Sequence, residues 1–172
     1  ERDNSGFLYE DMPGREDIWR KHHQSAVTHD VWLFNRSESS HTKLTDFEGE
    51  DRNPVWNSDG TAFYFLSERS GTFNVYKKII SGGQVEQLTF FEIHPVRFLS
   101  AGTLSNVGEI LVFGYHGELY TMQLGQQPSK VPLTIRTQQV ISGQERIIIN
   151  GGVSEMVISP NGKEMAFIAR GE

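Results

Sequence analysis

The sequence predicts an all-β fold of repeated four-stranded antiparallel units, and three observations carry that prediction. Three segments end alike: Thr42-Lys43-Leu44-Thr45, Glu86-Gln87-Leu88-Thr89 and Val131-Pro132-Leu133-Thr134, their threonines 44 and 45 residues apart. A short apolar strand precedes each, and its landmarks Val31, Val75 and Leu119 are spaced by 44 and 44. Between these landmarks, short apolar runs alternate with turn residues about every 8 to 12 positions, and helical periodicity is missing. Four antiparallel strands in a period of about 40 to 45 residues make one blade of a β-propeller. The expectation is a partial β-propeller: about three four-stranded antiparallel blades plus the start of another.

The second repeat shows the whole unit. Pro54-Val55-Trp56 is a short strand, and Asn57-Ser58-Asp59-Gly60 is a turn whose Asp-Gly pair tolerates positive φ. Ala62 to Ser67 follows, with Phe63 and Phe65 on one face and Tyr64 and Leu66 on the other, so both faces are set to fill blade interfaces. Ser70-Gly71 turns the chain into Phe73 to Ile79, and Gly82-Gly83 turns it into Val85 to Leu88. The third repeat runs from His94-Pro95-Val96 through Glu109 to His116 and Glu118 to Leu124, and ends at Val131 to Thr134. Its first turn has degenerated to Ser105-Asn106-Val107-Gly108. A fourth repeat begins at Val153, with Ser159-Pro160-Asn161-Gly162 as its turn. At the front, Gly6 to Asp11 is the second strand of an earlier blade, and residues 12–29 are an insertion before its third strand at Val31. The chain, which starts at Glu1 without a methionine, is expected to be an internal fragment that starts and stops inside blades. A partial arc leaves an apolar face and an unfinished strand at its ends, so self-association of the isolated chain is expected.

The 172 residues are 37% hydrophobic and 22% charged, an ordinary globular composition. The longest apolar runs, such as Ile147-Ile148-Ile149, are too short to span a membrane as a helix, and no basic stretch followed by an apolar one opens the chain. The net charge of −6 opposes nucleic-acid binding, since the one basic cluster, Arg20-Lys21-His22-His23, sits beside Glu16 and Asp17. No membrane or nucleic-acid partner is expected. The lack of cysteine removes disulfides, thiolate chemistry and Cys-based zinc sites.

Beyond the turns, several segments carry a family resemblance. These are Trp19-Arg20-Lys21-His22-His23, Thr42-Lys43-Leu44-Thr45-Asp46-Phe47, Gly49-Glu50-Asp51-Arg52-Asn53-Pro54, His94-Pro95-Val96-Arg97-Phe98 and Gly162-Lys163-Glu164-Met165-Ala166-Phe167-Ile168. Together they resemble the bacterial tricorn protease homologues over essentially the whole chain. The resemblance implies a six-bladed propeller followed by a seven-bladed one, a PDZ domain and a serine peptidase core. Residues 1–140 would then be the C-terminal blades of the first propeller, and residues 141–172 the connector and opening strands of the next. The family's catalytic residues lie in the C-terminal core, so the resemblance assigns no catalytic residue here. It implies propellers that guide and filter oligopeptides towards that core, a role that depends on ring closure. Family precedent implies the cytoplasm, or the periplasm if the full-length chain carries a signal peptide.

Candidate chemistry within the chain is sparse. His22, His23 and His29 are the best metal ligands by type, but their spacing fits no zinc motif, and exposed histidines in a polar insertion are the expectation. Asp46, Glu48, Glu50 and Asp51 form an acidic run between blades, expected to be a solvated loop with some pairing to Arg52 or Arg20. Its alternative role is to concentrate basic peptides near a channel. Asn57-Ser58-Asp59-Gly60 has the opening of a calcium loop, but Arg69 stands where the closing glutamate belongs. Trp32 and Trp56 are expected in the core, while Trp19 in the insertion is open to either side. No Gly-x-Ser-x-Gly elbow or recognisable triad occurs, and no catalytic, cofactor-binding or metal site and no cofactor is expected. The leading function is a non-catalytic propeller segment of a tricorn-like serine peptidase. A TolB-like protein-binding scaffold and the lid propeller of a prolyl-oligopeptidase-type hydrolase are the alternatives.

Overall fold

A computed structural model describes residues 5–11, 27–135 and 153–169, and every described element is a strand. The first blade has three strands, β1 (Gly6–Glu10), β2 (Val31–Asn35) and β3 (Ser40–Lys43), paired antiparallel in that order. The second comprises β4 (Asp51–Trp56), β5 (Ala62–Ser67), β6 (Asn74–Ile79) and β7 (Glu86–Gln87); the third comprises β8 (Val96–Leu104), β9 (Gly108–Tyr115), β10 (Glu118–Gln123) and β11 (Ser129–Lys130). Each is a four-stranded antiparallel meander in chain order. In a separate compact unit, β12 (Val153–Ile158) and β13 (Met165–Ala169) pair as a hairpin.

Packing between blades follows the alternation of β5. Phe63 and Phe65 enter a core with Val31, Leu44 and Tyr76, while Tyr64 and Leu66 enter a second with Val96, Leu99, Leu111 and Phe113. All six residues of β5 are buried, because its sheet is covered on both faces. Full burial of such a side chain contributes about 1.5–3 kcal/mol. Contact between blades runs through the inner strands, β1 to β4 and β4 to β8, whereas β3, β7 and β11 touch only their own sheets among the described elements. The blades therefore converge on their inner strands and spread towards their outermost ones, the radial layout of a propeller. The described sheets do not close a ring.

The repeat landmark has a mechanical reason. The Thr45 hydroxyl accepts the Val31 N–H at 2.9 Å and donates to Asp30 at 3.2 Å. Thr89 does the same in the second blade, accepting from Val75 at 2.8 Å and donating to Asn74 at 2.9 Å. Each threonine thus braces the chain after the fourth strand against the start of the third. The third Leu-Thr is a false repeat. The pairs Trp32–Lys43, Tyr76–Gln87 and Tyr120–Lys130 align the three blades, so Val131 and Pro132 occupy the places of Leu44-Thr45 and Leu88-Thr89. The backbone agrees: Leu44, Leu88 and Val131 donate to Val31, Val75 and Leu119, each at 2.8 Å. Proline has no hydroxyl, and Thr134 is exposed.

Turn chemistry follows the sequence closely. In the second blade the Asn57 side-chain oxygen accepts the Ala62 N–H at 2.9 Å, Asp59 accepts that of Thr61 at 2.9 Å, and Gly60 takes φ 77°. The hairpin of β12 and β13 repeats this with Ser159 bonding Glu164, Asn161 bonding Lys163 and Gly162 at φ 67°. The carboxylate of Asp59 is committed to its own turn, which is a hairpin turn as the sequence indicates.

The cross-brace yields a paired expectation. Thr89→Val keeps the side chain's shape but strands the buried Val75 N–H, and is expected to cost about 1–3 kcal/mol in urea unfolding. Thr134→Val should stay within about 0.5 kcal/mol. Equal effects of the two would contradict the assignment of Pro132 to the threonine position.

Candidate functional site

The first strand of each blade is an edge, since β4 and β8 end their sheets, and both carry the same irregularity. Pairing shifts between Arg52 and Val55 in β4 and between Arg97 and Ser100 in β8, and Asn53 and Phe98 take φ of 53° and 57°. In β12 the shift lies between Ser154 and Val157, with Glu155 at φ 54°. Each is a β-bulge with one residue in the left-handed region, a feature that bends an edge strand and re-aims its side chains. For phenylalanine that conformation is a genuine outlier, and Phe98 is 80% exposed.

Asn53 turns its bulge into a joint between blades. Its N–H donates to Glu10 of the first blade at 2.9 Å. Its side-chain amide donates to the Leu99 carbonyl at 3.0 Å and accepts the Leu99 N–H at 3.0 Å. One asparagine thereby imitates a strand and links three successive blades at their inner margin.

The acidic run divides in two. Asp46 and Glu48 are exposed, whereas Glu50 and Asp51 are buried. Arg69 forks onto Asp51 at 2.9 and 3.0 Å and lies over the rings of Phe47, Phe65 and Tyr76 at 5.1–5.4 Å. Arg52 pairs with Glu50 at 2.9 Å. Burial still pushes the Asp51 carboxyl above its ordinary range, against the pull of Arg69. His29 also departs from expectation. It is 7% exposed, its N–H donates to Glu50 at 3.0 Å, and its Nδ1 has no hydrogen-bond partner. It is buried because it immediately precedes β2, where the insertion rejoins the sheet. His22, His23 and Trp19 lie outside the described residues. Among the described residues no three His, Asp or Glu side chains converge as a metal site would require.

A cleft of about 450 Å³ opens between the first turn of the second blade and the first hairpin of the third. Trp56, Asn57, Ser58 and Gly60 line one side, and Ala101, Gly102, Thr103 and Glu109 the other. Trp56, expected in the core, is half-buried at the margin of this cleft, where it pairs with Phe63 at the end of β4. Trp32 is also half-buried, its indole N–H bonded to Asp11 at 3.1 Å. Glu109 accepts the Ser58 N–H and the Tyr64 hydroxyl, the latter at 2.7 Å, and so bridges the two blades. Sequence reasoning did not single it out, since nothing near Glu109 in the chain signals a partner 45 residues away.

Among known proteins, the chain is 26% identical over 125 residues to tricorn protease homolog 1 of Streptomyces coelicolor, a match covering 71% of this chain and 11% of that protein. Tricorn protease itself, as a solved structure, matches 96% of the chain with a TM-score of 0.62 at 18% identity, over 15% of its own length. A putative TolB from Agrobacterium tumefaciens matches 74% of the chain, with a TM-score of 0.58 at 20% identity, over 45% of its length. TolB from Acinetobacter baumannii matches 98%, with a TM-score of 0.54 at 17% identity, over 39% of its length. No family model matches. The structural likenesses are likenesses of fold, and they identify the chain as a stretch of β-propeller spanning a small part of its tricorn-type relatives.

Two buried phenols supply a pH expectation. Burial, then the bond to Glu109, raises Tyr64 far above the ordinary value of 10.0, and burial raises Tyr76. Above about pH 10 the unfolded chain loses those protons and the folded chain keeps them, so stability falls as pH rises. Absorbance titration should therefore show two of the five tyrosines ionising only with alkaline unfolding. Smooth titration of all five in the folded state would overturn this.

Proposed function

We propose that this chain is a non-catalytic propeller segment of a tricorn-like serine peptidase that degrades oligopeptides, and that the propeller guides or filters peptide access. The observation carrying the proposal is the similarity to tricorn protease homolog 1, which runs through 125 residues and across several blades. In this reading residues 1–140 close a first propeller, residues 141–172 open the next, and the partners are the remaining blades and the protease core of the same polypeptide. Exposed Met156, Val157, Ile158, Met165 and Phe167 on the β12–β13 hairpin support it, because a two-stranded hairpin needs further strands to cover such residues. The cytoplasm is the proposed compartment, with the periplasm as the alternative if a signal peptide precedes the segment.

A second reading, a TolB-like protein-binding scaffold, draws on the two TolB structures, whose TM-scores approach that of tricorn protease. The polypeptide encoded by the uninterrupted reading frame separates the two. The peptidase reading expects it to cleave oligopeptides with sensitivity to serine reagents, and expects removal of the propeller to admit longer substrates while short ones are still cleaved. A full-length protein without peptidase activity would leave the scaffold reading in its place.

The isolated chain should show no peptidase turnover, having no positioned nucleophile and base among the described residues, and should self-associate through its uncovered blade surfaces. Sedimentation across a wide concentration range checks the second point: a strict monomer that binds no apolar dye would refute it.

A further inference from the structure

The turn between β12 and β13 matches the first turn of the second blade residue by residue. Residues 57–62 link Trp56 to Phe63 and residues 159–164 link Ile158 to Met165, so Ser159 stands at the place of Asn57, Asn161 at that of Asp59 and Gly162 at that of Gly60. The main chain agrees: Ser159 and Asn57 donate to Glu164 and Ala62, while Gly162 and Gly60 donate to Ser159 and Asn57. Asparagine therefore stands where the second blade carries aspartate. Among the described residues it is the one asparagine followed by glycine.

The surroundings of that side chain favour attack on it. Asn161 is exposed, and its Oδ1 accepts the Lys163 N–H at 3.0 Å and the Ser159 hydroxyl at 2.6 Å. The other oxygen near that hydroxyl, the Glu164 carbonyl at 3.1 Å, already accepts the Ser159 N–H. Two donors thus draw charge onto Oδ1 and leave Cγ electrophilic. The amide nitrogen of Asn161 bonds to none of the described residues, whereas those of Asn53, Asn57 and Asn74 are held by Leu99, Asp59 and Phe91. Gly162 supplies the adjoining nitrogen. It takes φ 67°, and a Cβ placed there would meet nothing within 4 Å, so the approach is open. The 2.9 Å bond from the Gly162 N–H to Ser159 is the restraint to be broken, and one bond in an exposed turn opens at low cost.

We infer that Asn161 is a modification site, at which the turn itself converts asparagine to aspartate and isoaspartate. The Gly162 nitrogen loses its proton to hydroxide and bonds to Asn161 Cγ, closing a five-membered ring. The negative charge of the tetrahedral intermediate falls on Oδ1, between the Ser159 hydroxyl and the Lys163 N–H. The carbonyl re-forms as the Cγ–Nδ2 bond breaks, and Nδ2 leaves as ammonia with a proton from water. Water then opens the imide at either carbonyl. Cleavage at Cγ leaves aspartate, which the turn accepts, as Asp59 takes the Thr61 N–H at 2.9 Å in the second blade. Cleavage at the main-chain carbonyl leaves isoaspartate, whose main chain carries an extra methylene within the turn. Water is the only co-reactant, so the inference is independent of the peptidase and scaffold readings.

The test is incubation of the 172-residue chain in neutral buffer at physiological temperature, with peptide mapping by mass spectrometry over time. Amide-to-acid conversion is read at each asparagine, and isoaspartate by its chromatographic separation from aspartate. Fragment ions separate Asn161 from Asn150, which also precedes glycine and lies outside the described residues. Conversion at Asn161 should be about tenfold or more faster than at Asn57 or Asn106. Ser159→Ala should slow it by about threefold or more, through loss of one donor to Oδ1. Because Ser159 also braces the turn through the Glu164 N–H, Ser159→Thr is the second variant, and its retained hydroxyl should restore the parent rate. Conversion at Asn161 no faster than at Asn57, or a Ser159→Ala chain that converts as fast as the parent, would overturn the inference.

Discussion

The joint between the first two blades turns on one ion pair whose carboxylate water does not reach. Asp51 has no exposed side-chain surface, and its N–H donates to the His29 carbonyl at 2.9 Å. Once desolvated, that carboxylate demands a cation, and removing one partner of such a pair typically costs about 3–5 kcal/mol. Arg69 meets the demand only if the loop after β5 folds back over the start of β4, where three aromatic rings enclose the guanidinium. The geometry of that loop, the entry of the chain into β2 and the seating of Phe65 and Tyr76 all follow from it. Burial pushes the Asp51 carboxyl up against the pull of Arg69, so desolvation offsets part of their attraction.

How much of this was legible depended on how local each feature is. The period, the turns at Asn57 and Ser159 and the opposite faces of Phe63 and Tyr64 are set within a few residues of chain, and the sequence carried them plainly. Thr134 marks the limit of letter matching. It keeps the spacing, yet Pro132 holds the structural position and the hydroxyl brace is lost. The burial of Glu50 and Asp51 ran against the rule that charged residues are solvated: Arg52, two residues from Glu50, was a legible partner, whereas Arg69 reaches Asp51 from the loop after β5. The bulges left no letter signal at all, since Asn53, Phe98 and Glu155 share a backbone conformation and no side-chain chemistry.

Inequality between blades is what gives this propeller stretch distinct surfaces. The longer hairpin of the third blade carries Glu109 across to Tyr64 of the second. The same overhang leaves Leu104 and Val107 exposed beside the cleft. Blade-to-blade divergence at the turn margin thus alters surface chemistry while the strands beneath retain their pairing.

The Asn53 joint has a bearing on descent. It grips the main chain of Leu99 through N–H and C=O, groups that every non-proline residue offers. A neighbour held that way need not present any particular side chain, so its sequence is free to drift without loosening the join. Gene duplication can therefore append a copied blade that docks before it has adapted. Phe98, at the equivalent bulge of the third blade, has no amide to offer, and there the interchangeability stops.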